Sequence, residues 1–289
     1  MKRNRLLEGL LGLLLLLPAA PLLAEEAEPA EPVFLRVTET AGGAPDALQV
    51  AVAEYRAADG TRLDLVGAVH VADPEYFQAL NRSFETYDVV LYELVGDPDA
   101  AASARDGSAD RNLSAVGFLQ GGMKDVLGLS FQLDEIDYDR DHFVHADMTA
   151  EEFSASMKSR GESLLGMLFR AWIAGMSQQT PEASARAQVD LVKILLADDR
   201  QLALKRMFAR QLASEQDVLE AMSGPEGSTL ITERNRKALE VLERERSAGH
   251  RRIALFYGAG HFPDFHRRLV TDHGFEPVEL RWLDAWRLD

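Results

Sequence analysis

Arg62-Leu-Asp-Leu-Val-Gly-Ala-Val-His-Val-Ala-Asp-Pro74 is the stretch of this 289-residue chain on which its fold turns. Leu63, Leu65 and Val66 form the short apolar run of a buried strand, and Gly67 and His70 mark a corner. Asp73-Pro74 then sets a capping residue before a proline suited to the first helical position. Downstream, Tyr76, Phe77, Leu80 and Phe84 recur at helical spacing, and Asp88-Val-Val-Leu-Tyr-Glu-Leu94 returns as a nearly continuous apolar strand. Strand, helix and strand within about 35 residues predict a βαβ unit.

Working backward, residues 48–55 alternate like a strand and Asp59-Gly60 signals a tight turn, so a hairpin leads into this unit. Working forward, the pattern is helical from Thr149 to about Leu212, opening on the capping box Thr149-Ala-Glu-Glu152 and broken near Gly161 and Thr180-Pro181. Met157, Met167, Phe169, Trp172, Met176 and Phe208 in this stretch are either core or an apolar lid or membrane-facing patch. A helix from about Leu230 to Arg246 follows. The first pattern then recurs as Arg252-Ile-Ala-Leu-Phe-Tyr257, Gly258-Ala-Gly-His261, a proline-started helix from Pro263, and Val278-Glu-Leu-Arg-Trp282. The prediction is an α/β fold: a mixed central sheet with flanking helices and an all-helical insert, about residues 149–225, between two terminal βαβ units in a single domain over residues 34–289.

The chain opens with the basic Met1-Lys-Arg-Asn-Arg5, an apolar run including Leu11 to Leu17, and small residues up to Ala24. This predicts a signal peptide over residues 1–24 and a periplasmic or secreted protein; an uncleaved signal segment would be the one route to the membrane. Residues 25–33, acidic and Pro-rich, read as a flexible leader. Removing residues 1–24 takes away Lys2, Arg3, Arg5 and Glu8 and moves the net charge from −16 to −18. Nucleic acid is thereby excluded as a partner. With no cysteine in the chain, neither a disulfide nor a thiolate ligand is available.

The two Gly-x-x-His corners each follow an apolar strand and precede a proline-started helix, so each histidine leaves the carboxyl end of a strand, where open α/β sheets bind ligands. Gly67, Gly258 and Gly260 are expected to let the chain turn without a Cβ clash and to line the binding site. If the strands are neighbours, His70 and His261 converge, and Glu93, ending the strand after the first corner, joins them. Two imidazoles and a carboxylate suit a divalent first-row metal with a position open to water; alternatively Glu93 is the base that activates that water. His145 and Asp147 fall on one face of a short strand by period two, and Asp147 either orients a ligand histidine or is a solvated loop carboxylate. Arg234 and Asn235, near a helix start, are placed to bind an oxyanion or a substrate carbonyl. There is no His-Glu-x-x-His, nucleophile elbow, Walker loop or dinucleotide fingerprint.

Taken together, Leu65-Val-Gly-Ala-Val-His70 with Asp73-Pro74, Leu91-Tyr-Glu93, Leu127-Gly-Leu-Ser-Phe-Gln132, His145-Ala-Asp147, Thr232-Glu-Arg-Asn235 and Tyr257-Gly-Ala-Gly-His261 resemble the TraB/PrgY/GumN family, which includes the TIKI proteins. The resemblance implies a metal-dependent hydrolase acting as a protease with manganese or cobalt in preference to zinc, its site built from His70, His261 and Glu93. Similar corners occur in a wider set that includes erythromycin-esterase-like enzymes and ChaN-like haem-binding lipoproteins. The alternative is therefore a non-catalytic protein that binds a peptide or haem in the same cleft. Under the first reading the partner is a peptide or small-molecule substrate.

Overall fold

The hairpin expected around Asp59-Gly60 is the hub of the sheet. In the computed structural model, which describes residues 32–96, 127–163, 166, 194, 197–214 and 227–289, strand β2 (Pro45–Ala57) has antiparallel partners on both edges. Along one edge lies β9 (Phe275–Arg287), and along the other lie β1 (Leu35–Glu39) and then β3 (Arg62–Ala68). Gly60 adopts φ 86° to close the turn, and Asp59 Oδ1 accepts the Thr61 amide at 2.9 Å. The described residues from Val33 onward belong to one compact unit, with Phe34 already fully buried.

From β3 the sheet continues as a parallel block in the order β3–β8–β5–β7, with β8 at Arg252–Gly258, β5 at Val89–Tyr92 and β7 at Phe143–His145. The α/β architecture with a mixed sheet and flanking helices is as expected, but the two terminal strand-helix-strand units are interleaved rather than side by side. Helix α1 (Pro74–Phe84) links β3 to β5, yet β8 lies between them. Strand β9, after helix α6 (Phe262–Thr271), joins the far edge of β2. The reason lies in β8 itself: Ile253 to Tyr257 are apolar on both faces and at most 1% exposed, which only a central position covered from both sides can satisfy.

Alternation along β8 sorts the core into two layers. Ala254 and Phe256 pack with Tyr76, Phe77, Leu80 and Phe84 of α1, while Ile253, Leu255 and Tyr257 pack with α6 and with helix α5 (Arg234–Ser247). Of the helical insert, helices α3 (Ala150–Ser159) and α4 (Arg200–Ser214) are described. The expected capping box of Thr149 and Glu152 opens α3. Met157 is buried and Phe208 packs on the core, whereas Met167, Phe169, Trp172 and Met176, like the predicted signal peptide over residues 1–24, lie outside the described residues. Among the described residues no helix is long and apolar enough to cross a membrane.

Two local expectations change. Asp73 holds the N-cap position of α1 but makes no capping bond; its carboxylate accepts Lys205 Nζ of α4 and the Arg287 amide of β9, each at 2.6 Å. A cation and an amide from other elements outcompete the local cap. The glycines of the corners, in turn, are not needed for an unusual backbone, since none of Gly67, Gly258 and Gly260 has a positive φ. At Gly67 the constraint is distance: a Cβ there would lie 2.1 Å from Val50 Cγ1 and 2.9 Å from the Ala51 carbonyl oxygen on β2.

Gly67→Ala should therefore cost about 2 kcal/mol or more through overpacking against backbone, whereas Gly42→Ala, whose nearest neighbour would be Thr40 Oγ1 at 3.8 Å, should stay within about 0.5 kcal/mol. Urea denaturation of the two variants measures this. At the opposite end of the strands, Asp88 Oδ2 accepts the amides of Arg251 and Arg252 at 2.8 Å each. These bonds hold its carboxyl below the usual carboxylate range. A depressed native pKa contributes stability above the unfolded value, about 4, that drains away as pH falls through the native one. Asp88→Asn should thus cost about 1 kcal/mol at pH 7, allowing for its exposure. That gap to wild type should narrow steadily on acidification.

Candidate functional site

The pairing of β3 with β8 sets Gly67 opposite Tyr257 and Ala68 opposite Gly258, so the two Gly-x-x-His corners stand level at the carboxyl edge of neighbouring parallel strands. On the other side of β8, Tyr92 pairs with Phe256, and the Glu93 amide donates to the Phe256 carbonyl at 3.1 Å, extending the ladder by one residue. Glu93 therefore reaches the same edge from β5. The first corner is clamped from outside: the Tyr76 hydroxyl donates to the Gly67 carbonyl, and the Gln132 amide donates to the His70 carbonyl at 2.9 Å. The short strands β4 (Val71–Ala72) and β6 (Ser130–Phe131) pair beside it, and the one-turn helix α2 (Gln132–Glu135) follows β6.

Glu93 and His261 meet. Glu93 Oε2 accepts the Gly258 amide at 2.6 Å, and Glu93 Oε1 lies 3.6 Å from His261 Nε2. A Cβ on Gly258 would stand 3.3 Å from Glu93 Oε2, so any larger residue there would push the carboxylate back by a few tenths of an ångström. His70 is different: it is exposed, and its link to the pair is electrostatic, through its contribution to keeping Glu93 ionised. Among the described residues no group of three or more His, Asp or Glu side chains is close enough together to hold a metal ion.

What lies between the candidate ligands is Arg234. A π-helical turn at Thr229–Glu233 leads into α5 and delivers Arg234 and Asn235 to the sheet edge, both buried. Arg234 Nη2 donates to Glu93 Oε1 at 2.5 Å and to Asp147 Oδ2 at 2.6 Å, and Nε donates to Asp147 Oδ1 at 2.9 Å. Nη1 faces the Leu230 carbonyl at 3.4 Å and His261 Nε2 at 3.5 Å. All five guanidinium N–H groups thus have acceptors within the protein. Arg234 was expected to polarise a substrate carbonyl; instead its donors are engaged by buried carboxylates.

Asn235 is likewise occupied, and its bonding settles the state of His261. Its Nδ2 faces two acceptors, the His261 carbonyl at 3.0 Å and Asp264 Oδ2 at 2.9 Å. Its Oδ1 must then be the atom 2.5 Å from His261 Nδ1, so Nδ1 carries the proton and Nε2 keeps its lone pair. Burial pushes the His261 pKa down to about 4, against the pull of Glu93, so the ring is neutral at pH 7. Burial acts on Glu93 in the opposite sense, but His261 when charged, Arg234, His70 and the Gly258 amide outweigh it and bring its pKa down to about 2. With His261 neutral, Arg234 and the Gly258 amide hold the carboxylate at pH 7.

Asp147, expected either to orient a histidine or to be solvated, does neither: it is 1% exposed and grips Arg234. The chain turns after β7, so His145 and Asp147 part company. His145 Nε2 donates to the Leu94 carbonyl at 2.6 Å, pinning the backbone just past Glu93. Two contributors are not singled out as site residues by the sequence. Asp264 looks like an ordinary first-turn acid of α6 but supports Asn235. Tyr257 stacks edge-on against His261 at 5.2 Å and donates to the Ala146 carbonyl at 2.5 Å. No protein-family model and no curated protein matches the chain.

At neutral pH the His261 ring should therefore show one tautomer, protonated at Nδ1, in nitrogen-detected NMR of the full chain. Asn235→Leu should abolish that preference while Asn235→Asp, which keeps an acceptor, preserves it. A wild-type ring protonated at Nε2 contradicts the assignment.

Proposed function

We propose that this chain is an exported metal-dependent hydrolase acting on peptides or small-molecule substrates, with its chemistry at the carboxyl edge of β3, β8 and β5. The observation that carries it is the unprotonated His261 Nε2 held 3.6 Å from an ionised Glu93 oxygen. Two donors bound to one divalent ion at about 2.0–2.2 Å stand roughly 3 Å apart, so this pair is near the required span. Its chemistry fits as well, because metals take a deprotonated carboxylate and a neutral imidazole whose second nitrogen is hydrogen-bonded. Among the described residues Glu93 and Asp147 are balanced by Arg234 alone, which leaves the buried cluster one negative charge in excess and favourable to a cation.

Glu93 and His261 would hold the ion, with His70 on the adjacent corner as the third donor; manganese or cobalt is preferred to zinc on the resemblance to TIKI-like proteins. When bound, such an ion brings the pKa of a coordinated water toward neutrality and polarises a carbonyl. The chain's own residues prepare for this. Asn235 keeps Nε2 unprotonated, and the Gly258 amide fixes one Glu93 oxygen and leaves the other to face Arg234 and His261. A carboxyl held ionised by Arg234 and the Gly258 amide is a poor base at pH 7, which supports the ligand role of Glu93 over the general-base role.

The test is metal content and peptide hydrolysis of the purified protein beside His70→Ala and His261→Ala. Wild type should take up manganese or cobalt and cleave peptide, with hydrolysis falling roughly 100-fold or more in His261→Ala. Uptake of no divalent metal, with both variants folded and indistinguishable from wild type, overturns the enzyme. A Soret band on haem addition that either substitution removes would instead favour the binding protein.

A further inference from the structure

The outer edge of β9 is the long open edge of the sheet. The strand runs for 13 residues against five in β1 and three in β7, and among the described residues its backbone pairs with β2 alone. Its upper end is sealed. The Asp73 amide donates to the Ala285 carbonyl at 2.9 Å, and the Arg287 amide donates to Asp73 Oδ2 at 2.6 Å. At the lower end Pro277 has no amide to offer. Between these limits the edge is bare: residues 276–281 are all exposed, Val278 at 52% and Leu280 at 39%. An open edge with apolar side chains on it is a template for another strand.

The strand that fits this edge is its own copy. Val278-Glu-Leu-Arg-Trp282 laid against its reverse sets Leu280 on Leu280, Glu279 on Arg281 and Val278 on Trp282, apolar on apolar and acid on base at every position. Sliding the axis by one residue sets Glu279 against Glu279 or Arg281 against Arg281. We propose that β9 pairs antiparallel with β9 of a second copy of this chain, about a two-fold axis at Leu280, joining the two sheets into one. The side chains of Glu279 and Arg281 are 59% and 44% exposed and stand 3.8 Å apart within the strand, so each is open to the partner's opposite charge. Asp64, buried behind the strand, anchors Arg281 Nη2 at 3.0 Å. The register with β2 skips Val278, a bulge that adds twist but leaves the Glu279–Arg281 centre of the pairing intact. Because the copies run antiparallel, their candidate sites open at opposite ends of the joined sheet, and the dimer stands independently of the hydrolase reading.

Sedimentation velocity of the purified protein over a dilution series should show a reversible monomer–dimer equilibrium. Glu279→Lys sets a lysine against the partner's Arg281 on both sides of the axis and should raise the dissociation constant roughly tenfold or more. Glu279→Lys/Arg281→Glu should restore it. Thermal melts verify that each variant is folded, since Arg281→Glu also loses the bond to Asp64. The absence of cysteine gives a second readout. Across the axis the two copies of residue 280 lie about 4.5–5.5 Å apart, so Leu280→Cys should form a disulfide-linked dimer on mild oxidation. Residue 276 opposes residue 284 in this register, which holds its two copies about 27 Å apart, so Glu276→Cys should not. If wild type stays monomeric at every concentration, if Glu279→Lys associates as wild type does, or if the two cysteines cross-link alike, the proposal is overturned. If the double variant does not fold, Glu279→Lys and the cysteine pair decide.

Discussion

Residues 62–68 and 252–258 pair in parallel, strand against strand, and the register of that pairing is the constraint on which the rest depends. Shifted by one residue, every side chain of β8 would change faces. Phe256 would leave the α1 layer and Tyr257 the α5–α6 layer, and the second corner would no longer stand level with the first. The register is held by buried area on both faces of β8, far more than by any bond at the edge. Hydrophobic sorting in the core thus fixes the geometry of a polar site that takes no part in it.

The site sits at the end of the sheet where a buried charge cluster is least costly. Parallel strands end there with free carbonyls and amides, one of which, at Gly258, is given to Glu93. The remaining charges compensate one another through a short chain: Glu93 to Arg234, Arg234 to Asp147, and Asp147 to the Met148 amide. A second chain runs alongside it, from His261 through Asn235 to Asp264 and Arg268. The first sets charge and the second sets proton position. They meet where Glu93 Oε1 and the Arg234 guanidinium both face His261 Nε2, so charge and proton position are coupled there.

Much of this was legible before any coordinates. The hairpin, the strand-helix-strand order and the capping box of α3 all follow from local pattern, since periodicity and turn residues act over a few positions. The sheet order was not legible, because the choice of β8 to insert between β3 and β5 depends on which strand gains most from double-sided burial, a comparison across the whole fold. Partner choice in the site was hidden for a related reason. Arg234 carries the same sequence signature whether it meets a substrate carbonyl or Asp147, and only the placement of β7 beside β5 decides. Gly67 and Gly258 announced a constraint correctly but not its kind: both serve close approach rather than a turn.

His70 marks the remaining asymmetry. Its backbone is as firmly clamped as that of His261, by Gln132 at its own carbonyl and by Trp286 Nε1 at the Val71 carbonyl, 2.7 Å away. Its ring, however, is exposed while the His261 ring is buried and locked. A fixed backbone with a solvent-facing imidazole can respond to an arriving ligand by side-chain rotation alone, at a cost of side-chain freedom rather than of packing. One half of the site is preorganised and the other adjustable. That division follows from the cover: α5 and α6 close over the second corner, and α1 leaves the first corner's histidine open to solvent.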